Sequence, residues 1–311
     1  MQSSKADETR LHTAHFILLA AFGLYLLYGR LCRYLPFYEY KFPVLLISQL
    51  LFVIPGMLVL RMQGEDWAKR IRFTVPDGRN VLMGLITMVC AYPLAVLMNL
   101  LSQLFVENQV TTVVAYMLQL GLGPSIFILA LMPAFTEEFL FRGILYWNAY
   151  RDRSKVEGIL VSALAFGLMH LNLNQFFYAF FLGIIFALMV EATDSIVVSM
   201  IMHFSVNAFN VLVSYMAGSA GVQDASSDQA ALVLTEGMNA PGQVIIAVCS
   251  ILAVCVLLIL TIYRTFTLNG RSLRREEAAD SGQRKKHPAD LLLAVYIATA
   301  LVITVQSTVF H

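Results

Sequence analysis

The chain has 311 residues, of which 59% are hydrophobic and only 13% are charged. A soluble globular domain carries about 25% charged residues, so this composition predicts an integral membrane protein instead. The formal net charge of +1 argues against a nucleic-acid partner, because phosphate binding needs a basic face. The four cysteines have no C-x-x-C spacing, so we expect neither a disulfide framework nor a zinc knuckle.

Nine apolar segments approach the length of about 20 residues that a helix needs to cross a bilayer. They fall near 13–29, 42–60, 80–105, 124–148, 157–172, 175–191, 195–216, 243–263 and 290–310. The fifth and sixth segments are short and only a polar turn separates them, so they should form an antiparallel hairpin. The sequence therefore predicts an all-α, polytopic integral membrane helix bundle of about nine transmembrane helices, with eight as the alternative count.

The first of these segments could be taken for a secretory signal, because Lys5 and Arg10 precede it. No small-residue cleavage site follows, and Arg30 and Arg33 come next instead. We therefore interpret it as a retained membrane helix.

Loop charges predict the orientation of the bundle, because Lys and Arg are retained on the cytoplasmic side. Of the 21 Lys and Arg residues, 17 lie in segments on the same side as the N-terminus, 3 lie on the other side, and Arg142 lies within a span. We expect a cytoplasmic N-terminus and an outward C-terminus. The compact loops favour a bacterial plasma membrane as the location of this multi-pass protein.

The chain divides into three predicted parts: residues 1–123, a core at 124–216, and 217–311. Segment 106–123 mixes polar and apolar residues and is interpreted as interfacial or re-entrant. The outer loop 218–241 resembles a linker, and the basic stretch 264–288 is expected to contact anionic lipid. Membrane lipids are thus the first predicted partners.

The fourth span carries Glu137, Glu138 and Arg142 in an otherwise apolar helix. Insertion of three such groups costs roughly 8 kcal/mol before any pairing. Glu138 and Arg142 are four residues apart on one helical face, where they can form an ion pair. Glu137 points about 100° away and remains available for another partner. This pattern predicts a supporting pair beside a chemically active carboxylate.

Two later spans add polar groups, with His170 near the end of the fifth and His203 and Asn207 one turn apart in the seventh. A single histidine in an apolar helix is usually a packing residue. At 1.5 Å per residue, however, Glu137, His170 and His203 lie about 16, 20 and 12 Å from the cytoplasmic ends of their helices. The three side chains should therefore occupy one slab of the membrane.

These motifs, E-E-x-x-x-R, F-x-x-x-H and H-x-x-x-N, occur in this order in an apolar chain. Together they resemble the CPBP family of intramembrane proteases, also called the Abi or CAAX prenyl protease 2 family. The resemblance covers roughly 124–216. Thr193-Asp194-Ser195-Ile196 is similar to the T-x-S turn of that family, although Asp194 stands where Gly is commoner.

The resemblance implies an intramembrane endopeptidase. Glu137 and His170 would activate a water for attack on a peptide carbonyl, and His203 and Asn207 would stabilise the oxyanion. These roles agree with the chemistry of the side chains, since a carboxylate accepts a proton and preorganised donors stabilise developing charge. Ser205 points to another helical face than His203, so a serine nucleophile is not expected.

No metal or other cofactor is predicted, but zinc is kept as the alternative. Glu137, His170 and His203 would then be the ligands, with one coordination position open. The H-E-x-x-H motif of zinc proteases is absent from the sequence. In either case Glu138 and Arg142 would hold the site together.

The expected substrate is a membrane-associated or lipidated, CAAX-like protein or peptide, reached through an apolar cavity open toward the cytoplasm. Two other functions stay open. The protein could be a non-catalytic or self-immunity membrane protein of the same fold, or a proton-coupled transporter, since buried Glu, His and Arg also serve proton relays. Paired broken helices, typical of transporters, are not evident in the sequence.

Overall fold

A computed structural model of the protein describes residues 2–63, 66–106, 110–151, 154–219, 241–273 and 291–309. These residues form helices joined by short turns, and none of them lies in a strand. In chain order the helices are α1 Gln2–Leu31, α2 Lys41–Met62, α3 Trp67–Arg70, α4 Gly78–Gln103, α5 Val110–Leu118, α6 Leu122–Tyr150, α7 Lys155–Met169, α8 Leu173–Thr193, α9 Ile196–Ser219, α10 Pro241–Leu268 and α11 Leu291–Val309.

Seven of these helices are long and apolar enough to cross a membrane, namely α1, α2, α4, α6, α8, α9 and α10. The predicted all-α membrane bundle is therefore confirmed. The predicted count of nine is higher, because the fifth and ninth segments form shorter helices. Helix α7 has 15 residues, about 22 Å at 1.5 Å per residue, and the apolar part of α11 is Leu291–Ser307.

Helices α6 and α8 form the centre of the bundle. In each of them 61% of the most apolar stretch is buried, against 6% in α10, which lies at the periphery. Helices α7 and α8 pack together as the predicted hairpin. Asn172 begins α8 by accepting a hydrogen bond from the backbone N–H of Gln175 at 3.1 Å, as an N-cap residue does.

Helix α6 is not a regular α-helix along its whole length. Two π-helical segments, Phe127–Leu131 and Phe139–Tyr150, flank the α-helical turns of Met132–Glu138. Pro133 follows the first π segment and has no N–H to donate, so it favours a local change in hydrogen bonding. The wider turns of π-helix are frequent at functional sites, and here they border Glu137 and Glu138.

The predicted segments outside the core are only partly described. Residues 107–109, most of the linker 218–241 and most of the basic stretch 264–288 lie outside the described residues. The part of 106–123 that is described contains the short helix α5, and Gly121 has a positive φ of 96° just before α6. The division at 123 and 216 stays a prediction.

Candidate active site

A fully buried ion pair lies at the centre of α6. Arg142 Nη1 donates to Glu138 Oε1 at 2.9 Å, and both side chains are 0% exposed. Arg142 Nη2 donates to the backbone carbonyl of Gly183 at 3.2 Å. The guanidinium also lies over the rings of Phe166 and Phe186, 4.4 and 5.2 Å from their centroids. Hydrogen bonds and cation–π contacts thus compensate the desolvation of this charge.

His203 connects this buried pair to Glu137. Its Nδ1 lies 3.0 Å from Glu138 Oε1, and because a carboxylate only accepts, the proton of this hydrogen bond is on Nδ1. The ring stacks on Phe186 with centroids 5.3 Å apart. The other ring nitrogen, Nε2, lies 3.9 Å from Glu137 Oε2. Glu138 therefore fixes which nitrogen of His203 faces Glu137.

His170 occupies the C-cap position of α7, immediately after the helix ends at Met169. Its Nδ1 lies 2.9 Å from the backbone carbonyl of Phe166. A carbonyl only accepts, so Nδ1 carries the hydrogen of this bond, and Nε2 is the ring nitrogen that remains to face another partner. The edge of His170 packs against the Phe166 ring at 5.1 Å between centroids.

A cavity of about 330 Å³ adjoins these residues. Four predicted site residues line it: Glu137, His170, His203 and Asn207. Glu137 is 12% exposed, whereas the Glu138 and Arg142 pair lies behind the cavity wall. The rest of the cavity wall is mainly apolar and aromatic. Further polar groups come from Tyr25, Ser48, Gln49, Gln175, Tyr178, Asn210 and Ser214.

The predicted residues are thus brought together to different degrees. Glu138 contacts Arg142 and His203 directly, and His203 approaches Glu137. His170 and Asn207 join them as lining of the same cavity. The structure therefore arranges carboxylate, imidazole and amide groups around one accessible space, with a buried ion pair supporting one imidazole.

Comparison with known families agrees with this arrangement. A family model described as Type II CAAX prenyl endopeptidase Rce1-like matches residues 119–209, a range that contains all six predicted site residues. This segment, less than a third of the chain, is similar to the Rce1-like family. No curated protein and no solved structure shows significant similarity to the chain. The match supports, at the level of the family, the resemblance of the three motifs to CAAX-type intramembrane proteases.

The turn before α9 lies inside the Rce1-like segment. Asp194 adopts the left-handed conformation, with φ 59° and ψ 28°, which explains why Gly is commoner at such a position. Ser195 Oγ donates to the carbonyl of Thr74 at 2.5 Å and accepts from the N–H of Val197 at 3.2 Å. This turn therefore sets the start of α9, the helix that carries His203.

Three contacts of Arg142, with Phe166, Gly183 and Phe186, were not predicted from the sequence. Phe186 and Gly183 both contact Arg142, but in the sequence they lie in the apolar run 179–190 of α8, where no polar residue indicates which face packs inward. Gly183 had one available signal, since a glycine inside a helical pattern often marks close packing. Phe166 was noticed only as part of the F-x-x-x-H motif, without its position over the guanidinium.

Ser205 lies outside the cavity lining, whereas Glu137, His170 and His203, the ligands of the zinc alternative, line the cavity. Ser205 Oγ donates to the carbonyl of Met202 at 2.7 Å and does not line the cavity. In the described part of the chain no three His, Cys, Asp or Glu side chains lie close enough together to hold a metal ion. The zinc alternative stays a prediction.

Proposed function

We propose that the protein is an intramembrane endopeptidase in which Glu137 activates a water molecule. The observation that carries this proposal is the position of Glu137 as the one carboxylate among the described cavity-lining residues, with His203 Nε2 3.9 Å from it. A water oxygen at the usual hydrogen-bond length of about 2.8 Å from both atoms fits this separation.

In the proposed reaction the water oxygen attacks the carbonyl carbon of a peptide bond while Glu137 takes the water proton. The tetrahedral intermediate then collapses, the C–N bond breaks, and Glu137 returns the proton to the leaving amine. His170 Nε2 is a second acceptor that can orient the water. The products are a carboxylate and an amine, and no covalent enzyme intermediate is needed.

The oxyanion of the intermediate needs donors that are already in place. The side-chain amide of Asn207 and Nε2–H of a protonated His203 are the candidates on the cavity wall. Glu138 accepts the Nδ1–H of His203 at 3.0 Å, and Arg142 holds Glu138. The buried pair thus acts by positioning His203 and does not touch the substrate.

The proposed substrate is a membrane-associated or lipidated peptide, CAAX-like by analogy with the family description. A cavity with aromatic walls and several amide and hydroxyl groups suits a peptide with apolar side chains, since ligand sites combine apolar walls with a few polar groups.

The test compares purified wild type with Glu137→Gln and Glu157→Gln in detergent, on a pool of lipidated and unlipidated peptides. Glu157 makes a matched control, because it is an exposed glutamate in the first turn of α7, away from the cavity. We expect Glu137→Gln to lose at least about 100-fold in turnover while melting like wild type, and Glu157→Gln to retain activity.

Equal turnover of wild type and Glu137→Gln would refute the catalytic assignment and leave a non-catalytic membrane protein. A chelator arm, with zinc added back, separates the two mechanisms. Loss of activity on chelation and recovery with zinc would replace the water-activating glutamate by a metal centre.

A further inference from the structure

We infer that the substrate reaches the catalytic centre from the extracytoplasmic side of the membrane, as a membrane-anchored peptide segment. This inference rests on the proposed protease function and narrows its substrate class. It follows from the position of the cavity along the helices, taken together with the charge asymmetry of the loops.

One end of the bundle is strongly basic and is held together by ion pairs. Arg72 and Arg271 both contact Asp194, the latter at 2.8 Å, and Lys155 Nζ lies 2.7 Å from Glu191 Oε1. These residues come from separate loops and helix ends, so the structure gathers them at the same end. This end belongs to the side with 17 of the 21 Lys and Arg, which the positive-inside rule assigns to the cytoplasm.

The cavity lies toward the opposite end. Helix α7 runs away from the basic end and contributes only its last part, Phe166, Met169 and the C-cap residue His170. Helix α9 also starts at the basic end, and its lining residues begin at His203 and continue outward to Ser214.

The helices that run toward the basic end show the reverse pattern. Helix α2 contributes residues only as far as Phe52, and α8 only as far as Phe186. Phe186 is seven residues before Thr193, and His203 is seven residues after Ile196. At 1.5 Å per residue, about 10 Å of each helix therefore separates the cavity floor from the basic end.

Packed side chains fill that interval, whereas the other end of the cavity is accessible. The basic-end half of α6 is fully buried at Leu140, Arg142, Ile144, Leu145 and Tyr146. At the opposite end, Asn210 is exposed and Leu45, Val114 and Ser214 are partly exposed. The route into the cavity thus opens on the side that carries few cations, in contrast to the cytoplasmic opening expected from the sequence.

The lining also indicates which part of a peptide would bind. The described residues that line the cavity include no Lys or Arg, so they offer no fixed cation to pair with a free C-terminal carboxylate. The geometry is suited to an internal peptide bond of an anchored segment in the outer leaflet.

Sidedness is tested first with single cysteines in a cysteine-free background. Tyr40 and Val75 are 65% and 95% exposed and lie at opposite ends of the bundle, and Ser214 lies at the cavity mouth. In right-side-out vesicles a membrane-impermeant maleimide should label Tyr40→Cys and Ser214→Cys and leave Val75→Cys unlabelled. Labelling of Val75→Cys alone would reverse the orientation and overturn the inference.

Access is tested with the peptide that the enzyme cleaves fastest in detergent, coupled to a membrane-impermeant dextran. Right-side-out vesicles should cleave it at least tenfold faster than inside-out vesicles, and detergent should equalise the two. Cleavage that is faster in inside-out vesicles, equal in both, or absent from both until detergent is added would overturn the inference. Absence of Glu137-dependent cleavage in detergent would instead refute the proposed function, which this design reports separately.

Discussion

Glu137 and Glu138 are neighbours in sequence but have opposite environments. Glu138 is fully buried and shares one oxygen, Oε1, between Arg142 and His203. Glu137 faces the cavity. Burying two charges costs desolvation energy, which their attraction offsets only when the geometry is good. The Glu138–Arg142 pair also positions His203. Glu138 therefore has a structural role and Glu137 the proposed catalytic role, and substitutions at the two positions should have different effects.

Removal of one member of the buried pair should be costlier than removal of both. Arg142→Met leaves Glu138 as an uncompensated buried charge, so we expect a loss of about 3 to 5 kcal/mol in the free energy of unfolding. The double variant Glu138→Leu, Arg142→Met should recover part of it while remaining inactive, since His203 loses its partner. Thermal unfolding in detergent and the yield of folded protein measure both effects. A yield and melting temperature of Arg142→Met equal to wild type would contradict the structural role.

At the scale of single residues, the sequence predicted contacts where the spacing along a helix determines the relative positions of side chains. The i, i+4 spacing of Glu138 and Arg142 predicted their contact, and helix depth predicted that Glu137, His170 and His203 share a level. The Nδ1 partner of His203 could not be predicted, because Glu138 lies on another helix and the contact depends on how the two helices are rotated against each other. The rotation of a helix is set by side-chain packing, and a run of apolar residues does not indicate which face of the helix packs inward.

The α7–α8 hairpin brings two backbones close together beside the buried pair. A Cβ built on Gly183 would lie 3.0 Å from Ala163 Cα and 3.2 Å from Arg142 Nη2. The absence of a side chain here therefore allows both the hairpin contact and the hydrogen bond from Arg142 to the Gly183 carbonyl. Small residues serve close helix packing in membranes in this way.

Gly183→Ala should disturb this element. The added methyl group meets backbone on one side and the guanidinium on the other, so we expect a loss of about 1 to 3 kcal/mol in the free energy of unfolding, as for overpacked cores. Turnover should also fall, because Arg142 holds Glu138. Gly23→Ala is the matched control, since a Cβ there meets nothing within 4 Å. Equal melting temperatures of the two variants would show that the hairpin accommodates the methyl group.

Existence and order of the helices were predictable from hydrophobic length, but their detailed form was not. A span is predicted from the length and composition of an apolar segment. These do not indicate that α7 ends at Met169, shortly before Leu171, which has a positive φ of 52°. Nor do they indicate the π segments of α6, which depend on hydrogen bonds and on Pro133. Segment length alone therefore does not distinguish the seven long helices from the shorter helices α7 and α11.

Across the whole molecule, the basic end is tied together by one buried carboxylate. Glu191 near the end of α8 is fully buried. It accepts from the hydroxyl of Tyr146 at 2.9 Å and lies 2.7 Å from Lys155 Nζ, 3.5 Å from Arg151 Nε and 3.9 Å from Arg271 Nη1. These partners come from α6, the loop after it, α7 and the segment after α10. One side chain thus joins four parts of the chain below the cavity floor.

Glu191→Gln should weaken this junction, because the neutral amide leaves the surrounding cations without their shared counter-charge. We expect a loss of about 2 to 4 kcal/mol in the free energy of unfolding, below the roughly 3 to 5 kcal/mol of a fully buried pair, because the cationic partners of Glu191 are 20% to 30% exposed. Asp66→Asn is the control, since Asp66 and Lys69 form an exposed pair at 3.3 Å, and exposed pairs contribute little. Melting in detergent compares the variants. A Glu191→Gln protein as stable as Asp66→Asn would show that the junction does not stabilise the basic end.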